Sequence, residues 1–140
     1  KIFVQNMEYG NFIITIMSFG FKYGIPRDSD IVQDVRFLPN PYYDEELRPL
    51  TGNDKVIQDY VMNCKEGPEF LDKFIDLVQF LIPNYIKEGK NQLVISIGCT
   101  GGKHRSVTIA NEVYSRLQKS TYTVRIYHRD IGKDAVVKKL

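Results

Sequence analysis

The residues best equipped for chemistry sit together in one short stretch, GCTGGKHRSV, at positions 98 to 107. Gly101 and Gly102 lack a Cβ, so the backbone there can take positive φ and turn several N–H groups toward a single anion. Arg105 offers a fork that holds two phosphate oxygens at once, His104 a second donor, and Lys103 a surface charge. An apolar run precedes the stretch and a helical spacing follows it, which sets the loop's N–H groups at a helix N-terminus beyond the carboxyl end of a strand. Three readings are open: a bound phosphate, a reacting phosphate, or a tight turn with exposed basic residues and no ligand.

Spacing narrows these. A Walker A loop needs a glycine five residues before Gly102 and a Ser or Thr after the lysine, where Ile97 and His104 stand. ATP or GTP hydrolysis by that loop is therefore not expected. Cys99, Arg105 and Ser106 do reproduce the Cys-x5-Arg-Ser pattern of cysteine-dependent phosphatases, in which a thiolate attacks phosphorus while loop N–H groups and the arginine bind its oxygens. Asp28, Asp30 or Asp34 would then be the general acid. Gly98 stands where those phosphatases usually carry a histidine, and a small thiol packed under the loop is the simpler account of Cys99.

The elements that must position this loop read clearly from periodicity. NFIITIMSF (11–19) is β-branched and apolar and predicts a strand ending at Gly20; QLVISIG (92–98) predicts another, apolar enough to suit a parallel strand covered on both faces. DVRFL (34–38) alternates and predicts a short strand stopped by Pro39, and TVRIYHR (123–129) predicts a fourth. Thr51 or Asn53 caps a helix whose apolar face holds Val56, Ile57, Tyr60 and Val61. A longer helix starts near Pro68, carries Phe70, Leu71, Phe74, Leu77, Val78 and Leu81 on one stripe, is kinked or ended by Pro83 and closes at Gly89. Residues 105–119 predict a helix with Val107, Ala110, Val113, Tyr114 and Leu117 inward. The segment from Pro39 to Asp54 is a long ordered loop, of the kind that tends to carry function. Strand, glycine loop, helix and strand from Gln92 onward make a βαβ unit. The fold class is α/β, a mainly parallel sheet of about four strands flanked by helices.

The 140 residues, 43% of them hydrophobic, are the size of one domain with a real core. No apolar run spans a bilayer and no signal peptide is recognisable, so a soluble, cytoplasmic protein is expected, with Cys64 and Cys99 as free thiols. Neither a metal nor a cofactor is expected. Net charge is +2, but after Glu112 the chain has seven basic and two acidic residues, a +5 segment that suggests an anionic partner.

Five blocks in register, SFGFKYGIP, DVRFLPNPYY, LRPLTG, GCTGGKHRSV and YHRD, together make the chain from about Phe12 to Asp130 resemble the C-terminal domain of the RapZ (RNase adapter) family, also called YvcJ in bacilli. The resemblance implies a non-enzymatic domain that binds glucosamine-6-phosphate or a related phosphorylated metabolite, binds a small regulatory RNA, and self-associates as a dimer or higher. It also implies a protein partner such as a ribonuclease, and a separate N-terminal P-loop domain that this chain does not include. Carried over by motif, the pocket is Cys99, Thr100, Gly101, Gly102, His104 and Arg105, completed by Ser18, Gly20, Lys22, Asp34 and Arg36. Tyr23 and Tyr42 stand where enterobacterial members carry histidines, and DIGKDAVVKKL is less basic than their C-terminus.

RNA binding has support outside the family. Arg125, Arg129, Lys133, Lys138 and Lys139 supply phosphate-neutralising charge, Tyr122 and Tyr127 offer stacking faces, and His128 contacts an anion or caps the strand end. Such binding weakens steeply with salt.

Overall fold

The computed structural model describes residues 12–133. β1 (Ile13–Gly20) leads through a 3-10 turn (Phe21–Tyr23) and a loop to β2 (Ile31–Asp34). A second 3-10 turn (Pro41–Tyr43) precedes α1 (Lys55–Met62) and α2 (Glu66–Lys87). Then come β3 (Gln92–Cys99), α3 (Arg105–Leu117) and β4 (Thr123–His128). The four strands pair in the order β2-β3-β1-β4, each pairing parallel, which is the expected α/β class. Register aligns Gly20 with Cys99 and Asp34 with Gly98, so the carboxyl ends of β1, β2 and β3 converge where the glycine loop begins.

One sheet face makes the core. Ile14 and Ile16 of β1 and Leu93, Ile95 and Ile97 of β3 are fully buried there against α2 residues such as Leu71, Val78 and Ile82 and α3 residues such as Ile109 and Val113. Each fully buried aliphatic side chain of this kind contributes roughly 1.5–3 kcal/mol. The opposite face carries Thr15, Val94, Val32 and Tyr127, all only partly buried or exposed, so the apolar run in β3 does not reflect cover on both faces. Gly98 and Ser96 stay buried on that side because Phe19 and Phe21 pack over the first and Ser29 meets the second.

Three other expectations are corrected. The second strand is Ile31–Asp34, and the DVRFL segment beyond Asp34 is a turn: the Asp34 carboxylate accepts the Arg36 N–H at 2.8 Å, and the Leu38 N–H donates to the Val35 carbonyl at 3.2 Å. Val35 and Leu38 are buried, so a turn produced the alternation that resembled a strand. In α1 only Ile57 and Val61 are buried; Val56 and Tyr60 belong to a neighbouring, exposed face, and the cap position is Asp54, whose carboxylate accepts the Thr51 N–H. Pro83 does not end α2. The buried stripe runs through it to Ile82 and Ile86, holding the last turn on the core until Gly89, at φ +98°, closes the segment, and Leu77 is 48% exposed off that stripe.

Candidate functional site

The glycine loop is held by backbone contacts that only glycines permit. Gly102 has φ +76°, and a Cβ on it would lie 2.6 Å from the Gly20 nitrogen; a Cβ on Gly20 would lie 2.5 Å from the Gly101 carbonyl carbon. This close approach presses the loop onto the end of β1. Lys22 donates its N–H to the Thr100 carbonyl at 3.2 Å, and Gly52 donates to the Lys103 carbonyl at 2.9 Å. Beneath, Asp130, fully buried, accepts the Gly20 N–H at 2.8 Å together with hydrogen bonds from Arg129 and Lys133. Burial alone would raise its carboxyl, but Arg129, the Gly20 N–H and Lys133 outweigh that and hold it below the usual carboxylate range. Among the described residues no group accepts the N–H of Gly101 or Gly102, and no side chain caps α3. The loop therefore presents free donors at a helix N-terminus.

Of these two glycines, Gly101 lines a cavity of about 400 Å³. Its wall carries the cations Lys22, Lys103 and Arg105, and no carboxylate among the described residues. Arg105 is 5% exposed: one terminal nitrogen donates to the Arg36 carbonyl at 2.7 Å, the other approaches Thr100 Oγ1 at 3.4 Å, and Nε is buried without a partner. A buried guanidinium on a cavity wall with a donor unused is chemically suited to an anion. His104 is tied to the Arg48 carbonyl at 3.0 Å. Burial first, and then the neighbouring Lys103 and Arg105 charges, push its imidazole below the ordinary value despite that bond, which favours the neutral form.

Of the residues expected at the site, Cys99, Thr100, Gly101, His104, Arg105 and Lys22 line this cavity. Gly102 and Gly20 shape it from behind. Ser18, Asp34 and Arg36 do not line it. Ser18 Oγ meets His128 Nδ1 at 2.7 Å, and Asp34 and Arg36 pair with each other at 2.7 Å while Arg36 lies 4.0 Å over the Phe21 ring. Lys103 is not a surface charge: it is 8% exposed, because Gly102 turns the chain inward and Gly52 holds the Lys103 carbonyl. Asn40, Tyr42 and Tyr43 complete the wall. Asn40 and Tyr43 were not singled out from sequence. Their signals were membership of the long loop after β2 and of the DVRFLPNPYY block, where Tyr42 between them was named and they were not.

A family model described as the RapZ C-terminal domain matches residues 12–132. The chain belongs to the RapZ C-terminal domain family. A nucleotide-binding protein of Agathobacter rectalis is 72% identical over 137 residues, covering 97% of this chain and 47% of that protein. Nucleotide-binding proteins of a Thermoanaerobacter species and of Caldanaerobacter subterraneus are 62% and 59% identical, each over 96% of this chain and 47% of the relative. The chain thus spans about half the length of the curated relatives it matches. Membership and these names support a regulatory domain in general terms.

In this RapZ C-terminal domain Cys99 and Arg105 share the cavity wall, but none of the three aspartates expected as general acid lines it. Cys99 is 3% exposed, with its thiol donating to Ser106 Oγ at 3.2 Å. Asp30 sits at the far end of the sheet, bonded to Lys90 and the Val94 N–H. Asp28 lies two residues before it. Asp34 is at the right end, but its hydrogen bond from Arg36 keeps it below the usual carboxylate range, a poor proton donor. The C-terminal cations divide likewise. Arg125 is exposed on β4 beside exposed Tyr127, whereas Arg129 bonds Asp130 and the Gly24 carbonyl, and Lys133 bonds Asp130. Lys138 and Lys139 lie outside the described residues. His128 is half-buried, hydrogen-bonded between Ser18 and Asn111, and its partial desolvation pushes it below the ordinary imidazole value. Among the described residues no cluster of His, Cys, Asp and Glu suits a metal, and no helix is long and apolar enough to cross a membrane.

Proposed function

We propose that this domain is a metabolite-responsive regulatory module: glucosamine-6-phosphate or a similar phosphorylated metabolite binds the Cys99–Arg105 loop and alters how the domain engages RNA. The observation that carries the reading is the cavity whose described wall holds Arg105, buried with Nε unpaired, beside Gly101 and its unsatisfied N–H. The phosphoryl group sits on that N–H and on Arg105, with Lys22 and Lys103 balancing its charge. RNA is met by Arg125 and Tyr127, which expose a cation and an aromatic face one step apart on an edge strand. The cavity wall is also tied to the segment that follows β4. Lys22 of the cavity wall and Lys133 both lie over the Tyr23 ring, at 5.3 and 4.9 Å, and Lys133 is bonded to the Asp130 that holds Gly20. Coupling between the sites is reciprocal, so RNA that competes with the metabolite lowers its affinity by the same factor. The nucleotide binding named for the relatives we assign to the half of those proteins that this chain does not match, since the loop here departs from a Walker A motif.

Calorimetric titration with glucosamine-6-phosphate, free glucosamine and inorganic phosphate tests the reading. Saturable binding of the sugar phosphate, weak binding of phosphate, none of glucosamine, and loss of both in Arg105→Ala are expected. Absence of heat with every phosphorylated ligand would remove it.

A further inference from the structure

Away from the cavity wall, polar groups from separate segments form one connected line that ends on the glycine loop. Ser18 of β1 and His128, the last residue of β4, stand side by side in the sheet, and Ser18 Oγ meets His128 Nδ1 at 2.7 Å. On its other side His128 Nε2 meets Oδ1 of Asn111, within α3, at 3.1 Å. Asn111 Nδ2 donates to Asn53 Oδ1 at 2.9 Å and to the Gly52 carbonyl at 3.3 Å. Gly52 in turn donates its N–H to the Lys103 carbonyl at 2.9 Å. None of Ser18, His128, Asn111 and Gly52 lines the cavity.

The direction of the line follows from its Gly52 end. A carbonyl oxygen only accepts, so the Asn111 amide nitrogen faces Gly52 and its oxygen faces His128. Nε2 therefore carries the ring proton and donates it, Nδ1 is bare, and the buried Ser18 hydroxyl donates to Nδ1. The turn that receives the line has little slack. A Cβ on Gly52 would lie 2.6 Å from the His104 carbonyl oxygen and 2.6 Å from the Thr108 nitrogen, so the turn sits directly on the first turn of α3. Where Gly52 sits then fixes the Lys103 carbonyl, and with it the inward course of the chain from Gly102 to Arg105. Gln58 Nε2 shares the Gly52 carbonyl at 2.9 Å, so loss of Asn111 loosens the turn without freeing it.

We propose that His128 and Asn111 are positioning residues for the anion site: neutral His128 orients the Asn111 amide, which seats the Gly52 turn and so sets Lys103 and the glycine loop from the end of β4. The inference rests on the phosphate reading above and deepens it, by naming what the loop's geometry depends on beyond its own wall. A purely structural role would use the same bonds to stabilise the fold and leave anion affinity untouched, which is where the two accounts part.

The test is amide hydrogen exchange, and calorimetric titration with inorganic phosphate at one fixed pH, on the 140-residue chain and on His128→Leu, His128→Gln and Asn111→Leu. A glutamine amide reaches the place of Nε2 and keeps a donor for Asn111, whereas leucine keeps only volume. In the native chain, ring nitrogen-15 spectra are expected to show His128 with Nε2 protonated and Nδ1 bare. His128→Leu and Asn111→Leu are expected to speed exchange of the Gly52 amide and to weaken phosphate binding about fivefold, while His128→Gln stays within about twofold of native. Thermal melts show which variants fold, and half-buried Asn111 gives a replacement that decides the matter where His128→Leu does not. Native phosphate affinity in the folded leucine variants, a loss in His128→Gln as large as in His128→Leu, or the ring proton on Nδ1 overturns the inference. If phosphate binds the native chain and the variants equally, only this inference falls; if phosphate fails to bind the native chain, the phosphate reading falls and takes the inference with it.

Discussion

Two groups of basic residues occupy opposite roles in this small domain. Lys22, Lys103 and Arg105 line a cavity to which the described residues contribute no carboxylate, with the arginine buried and its Nε unpaired. Arg129 and Lys133 crowd one buried carboxylate, Asp130, and spend their charge fastening the end of β4 to Gly20 under the loop. The residue types are the same, and the partner decides the outcome. A cation beside a buried acid is structural; a buried guanidinium with an unpaired nitrogen on a cavity wall is what the proposed function assigns to a ligand. Arg125, exposed on β4, is a third case, available to a partner but held by nothing that would order one.

The sharpest way to break this contrast is to remove what shapes the loop. Gly102→Val puts a branched side chain at φ +76° and within the space of the Gly20 nitrogen, and is expected to lower stability by roughly 3 kcal/mol or more and abolish phosphate binding, as read by thermal unfolding and calorimetry. Retained phosphate affinity in a folded Gly102→Val chain would show that the loop is not the anion site. Arg105→Ala comes next. It leaves the Arg36 carbonyl without its donor, costs about 2 kcal/mol, and weakens phosphate binding by roughly 10- to 100-fold through loss of charge-assisted bonds.

Asp130→Asn sharpens the other side of the comparison. Releasing Arg129 and Lys133 from their carboxylate is expected to cost about 1–3 kcal/mol of stability and to strengthen non-specific RNA binding, with a steeper salt dependence measured by filter retention. Unchanged RNA affinity at low salt would mean that these two cations do not reach RNA even when freed. Arg125→Ala should shift stability by no more than about 0.5 kcal/mol while reducing RNA affinity several-fold.

Acidification separates the histidines from the aspartates. His104 and His128 both titrate below the ordinary 6.5 in the folded chain, so the unfolded chain takes up protons first. Their contribution is complete above about pH 6.5 and is lost as pH falls beneath it through their lowered folded values. Asp34 and Asp130, lowered from 3.8, act in a second window below that value. Thermal melts across this range should show two declines, and replacing His104 by Gln should remove part of the first only.

Much of this was legible in the sequence, for reasons that can be named. β1, β3 and β4 announced themselves because β-branched runs end at glycine or at a charged turn, and the glycine loop because its residue types are rarely gathered without an anion to hold. What escaped depends on contacts between distant segments. Lys103 turns inward because Gly52, far earlier in the chain, captures its carbonyl. Asn40 and Tyr43 reach the site through a loop without periodicity, fastened by Arg48. The DVRFL turn imitated a strand because Val35 and Leu38 are buried by a tight bend whose Asp34 bond replaces the ladder. Pro83 stays helical because burial of Ile82 and Ile86 outweighs one missing hydrogen bond.

Amide NMR of the chain during titration with inorganic phosphate tests the central contrast most directly, since it reports both basic regions at once. The Gly101 and Gly102 amides are expected to move strongly and saturably, while Arg125 and Tyr127 stay still. Movement confined to β4, or none at the two glycines at saturating phosphate, would contradict the assignment of the loop as the anion site.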